Sequence, residues 1–335
     1  MNLAIIGFGF SGKRFLKCLV HLKEKFNLNI VGIVDRDIKL VSEVTENYKF
    51  YQSITDLLQE QTVDVVVIST NDNTHELIFD VLKDYPSIGV ICEKPLIGDF
   101  RKINDYNDYF ENIKLTVNYV ERMSPIIDLC VEKVSEFRIK IGKVIFNWGK
   151  DRFYDSRDTL GVLADITHPI DLVLFLLKLK NVILSVDSQS KYVYTLRGTE
   201  LLDSVSIRLQ TPDIVIAGNS SFLWESRRRS ICLYGHDHQT GCFQIKLIFD
   251  NPLWDSDSIE IVRFDELTKT KQVIFNENLS AEKLNTQLPQ LNKVYSFLEQ
   301  SLDYIVADSK NAVCKYEDAK LNINLLQKIY DEVTK

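Results

Sequence analysis

The stretch Asn2-Leu3-Ala4-Ile5-Ile6-Gly7-Phe8-Gly9-Phe10-Ser11-Gly12-Lys13, with the apolar run 30–34 and Asp35 beyond it, decides how this chain folds. Residues 3–6 read as a buried strand, Phe15, Leu16, Leu19, Val20 and Leu22 recur at helical spacing, and 30–34 read as a second strand that a carboxylate closes 23 residues after Gly12. Strand, glycine turn, helix, strand and acidic stop spell a dinucleotide-binding unit. Gly7 makes the tight turn, Gly9 lets the backbone approach a pyrophosphate, and Gly12 lets the helix pack on the strand. The free N–H groups of the helix start, reached through Phe8, Phe10 and Ser11, face the phosphates. The same residues also spell GxxxxGK, but Arg14 stands where a nucleotide-triphosphate loop needs Ser or Thr to hold magnesium.

Outward from this unit the alternation continues. Residues 40–47 predict a short helix, 49–51 an extended piece and 53–59 another helix. The largely β-branched run 63–69 predicts a central strand covered on both faces. After the polar loop Thr70-Asn71-Asp72-Asn73-Thr74-His75 come a helix over 76–83 and a strand over 88–92 that ends in Glu93-Lys94-Pro95-Leu96. This is an α/β Rossmann-type doubly wound parallel sheet, whose ligands sit beyond the carboxyl ends of its strands. Asp35, Arg36, Thr70, Asn71, Asn73, His75, Glu93 and Lys94 all fall at those ends. A carboxylate at Asp35 accepts from both adenosine ribose hydroxyls and repels a 2′-phosphate, which favours NAD. Arg36 beside it, able to bind phosphate or stack on adenine, leaves NADP open.

The 335 residues suit two domains. With net charge −7 and Lys and Arg scattered, no basic face for nucleic acid is implied. The exception is Arg227-Arg228-Arg229, read as a solvated strand end or, failing that, a local anion contact. Six dispersed cysteines without a CxxC pair predict reduced thiols. Five histidines (21, 75, 168, 236 and 238) form no ligand constellation, so no metal is expected. The chain enters a strand directly from Met1 and has no apolar run near the roughly 20 residues of a membrane span, which points to a cytoplasmic protein without membrane contact.

The order of these motifs resembles the glucose–fructose oxidoreductase/inositol dehydrogenase (Gfo/Idh/MocA) family. GxGxxG, the carboxylate after the second strand, Ser-Thr-Asn…His after the third and Glu-Lys-Pro after the next all match its pattern. Val117-Asn118-Tyr119 and Arg122-Met123-Ser124-Pro125 are similar to the family's Tyr…Arg…Pro junction between domains. Ile141-Gly142-Lys143-Val144 resembles the opening of its second domain, and the segment from Gly161 through Asp165, His168 and Asp171 resembles its substrate-site helix. The resemblance implies a two-domain nicotinamide enzyme acting on a sugar, sugar derivative or nucleotide-linked sugar, with residues 1–119 binding the dinucleotide and 120–335 binding substrate. Strand patterns at 182–187, 191–194, 204–209, 214–217, 230–234, 244–248, 259–264 and 272–275 predict a largely antiparallel open sheet in an α+β second domain, closed by helices over 288–306 and 319–333. In the family, such a sheet commonly makes the oligomer contact, which implies a homodimer or homotetramer.

Moving a hydride from an alcohol carbon to nicotinamide requires a base for the hydroxyl proton and a donor to steady the oxygen. A lone lysine is ordinarily a solvated charge. The place of Lys94 within Glu-Lys-Pro resembles the family's catalytic lysine motif, and this assigns it the donor or proton-relay role; Glu93 either orients it or salt-bridges nearby. Asp165 and His168, three apart on a predicted helix, share a face, and a carboxylate can fix the tautomer of an imidazole that exchanges protons near neutral pH. His168 is the acid/base candidate, the alternative being a structural histidine in a helix pair. Many relatives space the aspartate and histidine by four; the interval of three found here belongs to branches often associated with cell-surface sugar synthesis. Asp171 reads as capping an interdomain contact. Tyr119 and Arg122 in the junction, and Arg152, Tyr154 and Arg157 in a following loop, are substrate candidates, although an interdomain salt bridge by Arg122 would look identical. A non-catalytic dinucleotide-binding sensor or scaffold of the same family is the alternative function.

Overall fold

The computed structural model describes residues 1–44, 47–154, 160–191, 201–237, 241–265, 267–280, 288–309 and 313–334. Arg157, His238, residues 45–46 of the expected helix over 40–47 and residues 192–194 of the expected strand lie outside them. The chain forms two units, Met1–Val120 with Val294–Asn324, and Glu121–Lys293 with Leu325–Lys335.

In the first unit β1 (Asn2–Ile6), β2 (Asn29–Val34), β3 (Phe50–Tyr51), β4 (Val65–Ile68), β5 (Gly89–Glu93) and β6 (Leu115–Asn118) form one sheet in the order β3-β2-β1-β4-β5-β6. Every pairing is parallel. The order reverses between β1 and β4, so the switch-point crevice opens beyond Ile6 and Ile68. All four residues of β4 are buried, as expected of a strand covered on both faces. The connecting helices are α1 (Phe10–Phe26), α2 (Val41–Val44), α3 (Ile54–Glu60), α4 (His75–Leu82) and α5 (Asn107–Asn112). Helix α1 buries Phe15, Leu19 and Leu22 of the expected stripe, together with Cys18, while Leu16 is half-buried and Val20 faces outward.

The last part of the chain belongs to this unit as well, which a single boundary near residue 119 does not describe. Thr116 Oγ1 in β6 donates to Ser301 Oγ at 3.0 Å, and the Val117 amide donates to the Cys314 carbonyl at 2.9 Å, so the returning segment closes the sheet's open edge. Helix α8 (Asn292–Ala307) starts four residues later than its apolar pattern suggests. Pro289 cannot donate to a helix ladder, and Gln290 sits in the left-handed region at φ 64°, so the helix begins only beyond them. Helix α9 (Tyr316–Thr334) is divided between the units at Asn324.

In the second unit helices α6 (Pro125–Glu136) and α7 (Leu163–Leu176) accompany an eight-stranded sheet. Its strands are β7 (Lys140–Asp151), β8 (Ile183–Ser190), β9 (Ser204–Gln210), β10 (Val215–Ser221), β11 (Leu223–His236), β12 (Gly241–Ile248), β13 (Asp257–Asp265) and β14 (Thr270–Leu279). They run in the order β14-β13-β12-β11-β7-β10-β9-β8, antiparallel except for β7 with β10. Alternation sends Val144, Phe146, Trp148, Ile216, Ile231 and Ile245 into the core. The opposite face carries Asn147, Ser188, Ser204, Ser206 and Asn219 around a shallow hollow of about 340 Å³. Among the described residues no helix is long and apolar enough to cross a membrane.

Candidate active site

In the first unit the glycine turn has the geometry its spelling requires. Gly7 sits at φ +93°, a conformation open to glycine, and its amide donates to the Val34 carbonyl at 2.7 Å. A Cβ at Gly12 would lie 2.1 Å from the Gly7 carbonyl oxygen, so this position serves the packing of helix against turn. A Cβ at Gly9 would meet nothing within 4 Å, so nothing in the protein requires a glycine there. The open space over Gly9 is where a pyrophosphate would approach. Gly9 is the N-cap of α1 without a side-chain cap, and no acidic residue stands in the first turn, so the helix offers its free N–H groups and positive dipole end to an anion.

Asp35 is fixed beside this turn. Its Oδ2 accepts from the Phe8 amide at 2.6 Å and its Oδ1 from the Asp37 amide at 2.9 Å. An ionised carboxylate has about four acceptor sites, so both oxygens keep capacity for ribose hydroxyls. Phe8 is buried, whereas Phe10 at the helix start is 69% exposed, with the Arg14 guanidinium over its ring. Ser11 is half-buried and Arg36 exposed. Ser69 Oγ donates to the Gly7 carbonyl at 2.7 Å and ties the end of β4 to the turn. The buried Thr70 Oγ1 follows, with no protein partner. Asn71 and Asn73 are exposed on the same loop. A dinucleotide fits this donor set: the uncapped helix start would take the phosphates and the Asp35 carboxylate would take the ribose.

His75, expected at the cofactor, is instead enclosed. Its ring is completely buried, with Nδ1 3.0 Å from the Pro95 carbonyl and 3.2 Å from that of Leu96, and Nε2 3.3 Å from that of Thr70. Carbonyls only accept, so the proton facing Pro95 and Leu96 is the imidazole's own. The side chain binds the loops after β4 and β5 together and thereby positions the segment that carries Lys94. Glu93 accepts from Asn118 Nδ2 at 2.9 Å, Lys94 is half-buried, and the Lys94–Pro95 peptide is cis.

In the second unit α7 carries the other candidates. Pro169 lies within the helix and cannot supply the N–H that would bond the Asp165 carbonyl, so one rung is missing at this point. Trp148 and Lys150, two apart on β7, point to the same side. Trp148 stacks on His168 with ring centroids 6.1 Å apart, and Lys150 Nζ pairs with Asp165 Oδ1 at 2.8 Å. Both members of this ion pair are largely withdrawn from solvent. Burial pushes the Lys150 ammonium down to about 7; Arg229 and Arg152 add to the fall, and Asp165 pulls against it. Lys150 is absent from the sequence expectations because a lysine at a strand end looks solvated. The one available signal was its even spacing from Trp148.

Arg122 and Asp171 pair with each other within the second unit. Arg122 Nε lies 2.8 Å from Asp171 Oδ2 and Nη2 lies 2.6 Å from Oδ1, a bidentate pair with both side chains 3% exposed. Tyr119 is likewise buried, whereas Tyr154 is fully presented to solvent. Arg152 is half-buried beside Phe222.

The basic triplet is not a solvated strand end. Arg228 points outward toward Glu225, but Arg229 is buried with Glu121 at 3.0 Å and with Asp250. Lys293 completes the cluster, 2.6 Å from Glu121 and 2.7 Å from Asp250. Burial raises Glu121 to about 7 against the pull of Lys293 and Arg229, whereas at Asp250 the two cations outweigh burial and hold the carboxyl low. All six cysteines are free thiols, and among the described residues no group of three or more His, Cys, Asp or Glu could hold a metal ion.

Residues 1–119 match a family model described as "Oxidoreductase family, NAD-binding Rossmann fold". No curated protein matches the chain in sequence. Among solved structures, UDP-N-acetylglucosamine 3-dehydrogenase GnnA from Acidithiobacillus ferrooxidans is similar over 98% of this chain and 96% of its own, at 16% identity and a TM-score of 0.71. Levoglucosan dehydrogenase in complex with NADH is similar over 100% of this chain and 97% of its own, at 15% identity and a TM-score of 0.77. Identities this low speak to the fold. Residues 1–119 are thus similar to the NAD-binding Rossmann domain of the Gfo/Idh/MocA oxidoreductase family.

Proposed function

We propose that this protein is an NAD-dependent oxidoreductase that oxidises a secondary alcohol on a sugar, sugar derivative or nucleotide-linked sugar, or reduces the corresponding ketone. The observation that carries the reading is the cradle around Gly9, an uncapped helix start over open space with a carboxylate fixed beside it. Asp35 favours NAD over NADP, because a carboxylate repels a 2′-phosphate. Bound NAD supplies the hydride acceptor. His168 takes the hydroxyl proton as the carbon–hydrogen bond breaks, and the Lys94 ammonium donates to the oxygen as it becomes a carbonyl. Asp165, held by Lys150, keeps a negative charge on the His168 face of α7 and so favours proton uptake. The serine- and asparagine-lined outer face of the second sheet is the surface through which two or four copies associate.

The test is single-turnover absorbance of NADH on mixing the protein with a panel of ketosugars and sugar alcohols. Loss of a general acid–base group costs ~10²–10⁴-fold in rate. Lys94→Ala and His168→Ala should lose that much while binding NADH as the wild type does. Undiminished turnover in both variants refutes the mechanism. NADH binding with no redox change across the panel favours a dinucleotide sensor or scaffold instead.

A further inference from the structure

The buried ion cluster of the second unit is built around one indole. Trp148 of β7 is fully buried, and Arg229 of β11 stands directly across the ladder from it, with Cζ 5.2 Å from its ring centroid. The guanidinium is fixed in turn. Its Nη1 pairs with Glu121 at 3.0 Å and with Asp250, while Lys293 reaches Glu121 at 2.6 Å, Asp250 at 2.7 Å and Asp257 at 3.3 Å. Phe249, whose amide donates to the Arg229 carbonyl at 2.9 Å, packs on the same indole with ring centroids 5.6 Å apart. Against this held indole lies the imidazole of His168, with centroids 6.1 Å apart and ring planes inclined by 29°.

We propose that Trp148 is a positioning residue for His168, and that the ion cluster around Arg229 serves the acid–base group by holding the indole in place. A buried ion cluster adds little net stability, because desolvation offsets its Coulomb gain; what it contributes is fixed geometry. The Trp148 Nε1–H has no acceptor among the described residues, a cost that a phenyl or aliphatic side chain at this position would avoid. What the indole adds over those groups is a broad, electron-rich face on which an imidazole stacks and an imidazolium is attracted. The ladder of α7 lacks the rung that Pro169 cannot make, so support for His168 from outside its own helix matters more. Proton transfer needs the imidazole nitrogen within about 3 Å of the substrate hydroxyl, and a displacement of about 1 Å can cost ~10²-fold in rate. The role rests on the oxidoreductase reading, because it is defined by the proton that His168 moves.

The kinetic test uses NADH and whichever ketosugar of the panel turns over. Trp148→Leu, which fills the space without a ring, should lose at least ten-fold in kcat with KM little changed, and Trp148→Phe should recover most of that loss. A positioning residue acts only through the group it positions. In the His168→Gln background, Trp148→Leu should therefore cost almost nothing further. Arg229→Lys keeps the charge and gives up the guanidinium fork, and it should show the same pattern: a loss of kcat with the histidine present, none without it.

A second readout needs neither turnover nor a change at Trp148, so it holds whether or not Trp148→Leu folds. A protonated imidazole against an indole quenches its emission. Indole fluorescence of the protein without nucleotide should fall as the pH is lowered through the titration of His168, and His168→Gln should lose that part of the change. The charged groups around the stack, Asp165 on α7, Lys150 on β7, Arg229 on β11 and Glu121 behind it, are present in both proteins and cancel in the difference. Equal pH-dependent amplitude in wild type and His168→Gln would overturn the role, and so would an equal loss of kcat from Trp148→Leu with and without the histidine. Turnover that requires His168 but is unaffected by Trp148→Leu removes the positioning role and leaves the oxidoreductase. The quenching difference with no redox change across the whole panel removes the oxidoreductase and leaves the imidazole held by Trp148.

Discussion

Substituting the same methyl group at Gly9 and at Gly12 separates a glycine kept for a ligand from a glycine kept for packing. At Gly12 the new Cβ would sit 2.1 Å from the Gly7 carbonyl oxygen and 3.0 Å from Ser69 Oγ. The first of these is backbone, so the helix or the turn has to move; overpacking of this kind costs about 1–3 kcal/mol. At roughly 2–4 °C per kcal/mol for a domain of this size, Gly12→Ala should melt several degrees lower. At Gly9 the Cβ meets nothing within 4 Å, and the folded protein loses only the N-cap preference for glycine over alanine, about 0.5–1 kcal/mol. A pyrophosphate drawn close to the uncapped start of α1 would meet that methyl, however. Gly9→Ala should therefore keep nearly the wild-type melting midpoint without nucleotide and lose at least ten-fold in NADH affinity, about 1.4 kcal/mol. Calorimetric titration with NADH, alongside thermal melts with and without nucleotide, measures both quantities. Wild-type NADH affinity in Gly9→Ala would refute the reasoning, because the open space would then have no role in binding.

Two further expectations concern buried charge. Asp171→Asn leaves the Arg122 guanidinium buried without its counter-charge and should destabilise the second unit by about 3–5 kcal/mol in denaturant titration, whereas Arg122→Leu with Asp171→Leu should cost much less than the two single changes added. Lys150 has a folded-state affinity for its proton near pH 7, well below that of an unfolded lysine, so above pH 7 unfolding binds a proton and rising pH stabilises the fold. From pH 7 to 9 the wild type should gain on the order of 1–2 kcal/mol relative to Lys150→Gln, read as a wild-type melting midpoint that rises relative to the variant's; a wild-type midpoint that falls relative to the variant's contradicts the burial of the amine.

What the chain's order of residues determined by itself is five of the six strands of the first unit's sheet, all but β6, and the glycine turn after the first of them. Both are written in local, periodic signals: apolar runs of four or five residues, helical spacing from Phe15 to Leu22, and three glycines whose offsets match one turn geometry. What it could not determine is which charges are spent inside the molecule. A solvated lysine and a buried one are the same letter, and the partner that distinguishes them is remote: 15 positions separate Lys150 from Asp165, 49 separate Arg122 from Asp171, 108 separate Arg229 from Glu121, and 172 separate Lys293 from Glu121. Tertiary structure alone enclosed His75 between two loops, drew Arg229 inward while leaving Arg228 outside, and returned residues Val294–Asn324 to the edge of the first sheet. The physical reason is common to all of them. Local periodicity fixes which face of an element is apolar, but the pairing of buried polar groups depends on which elements meet, and that is decided only when the sheets close.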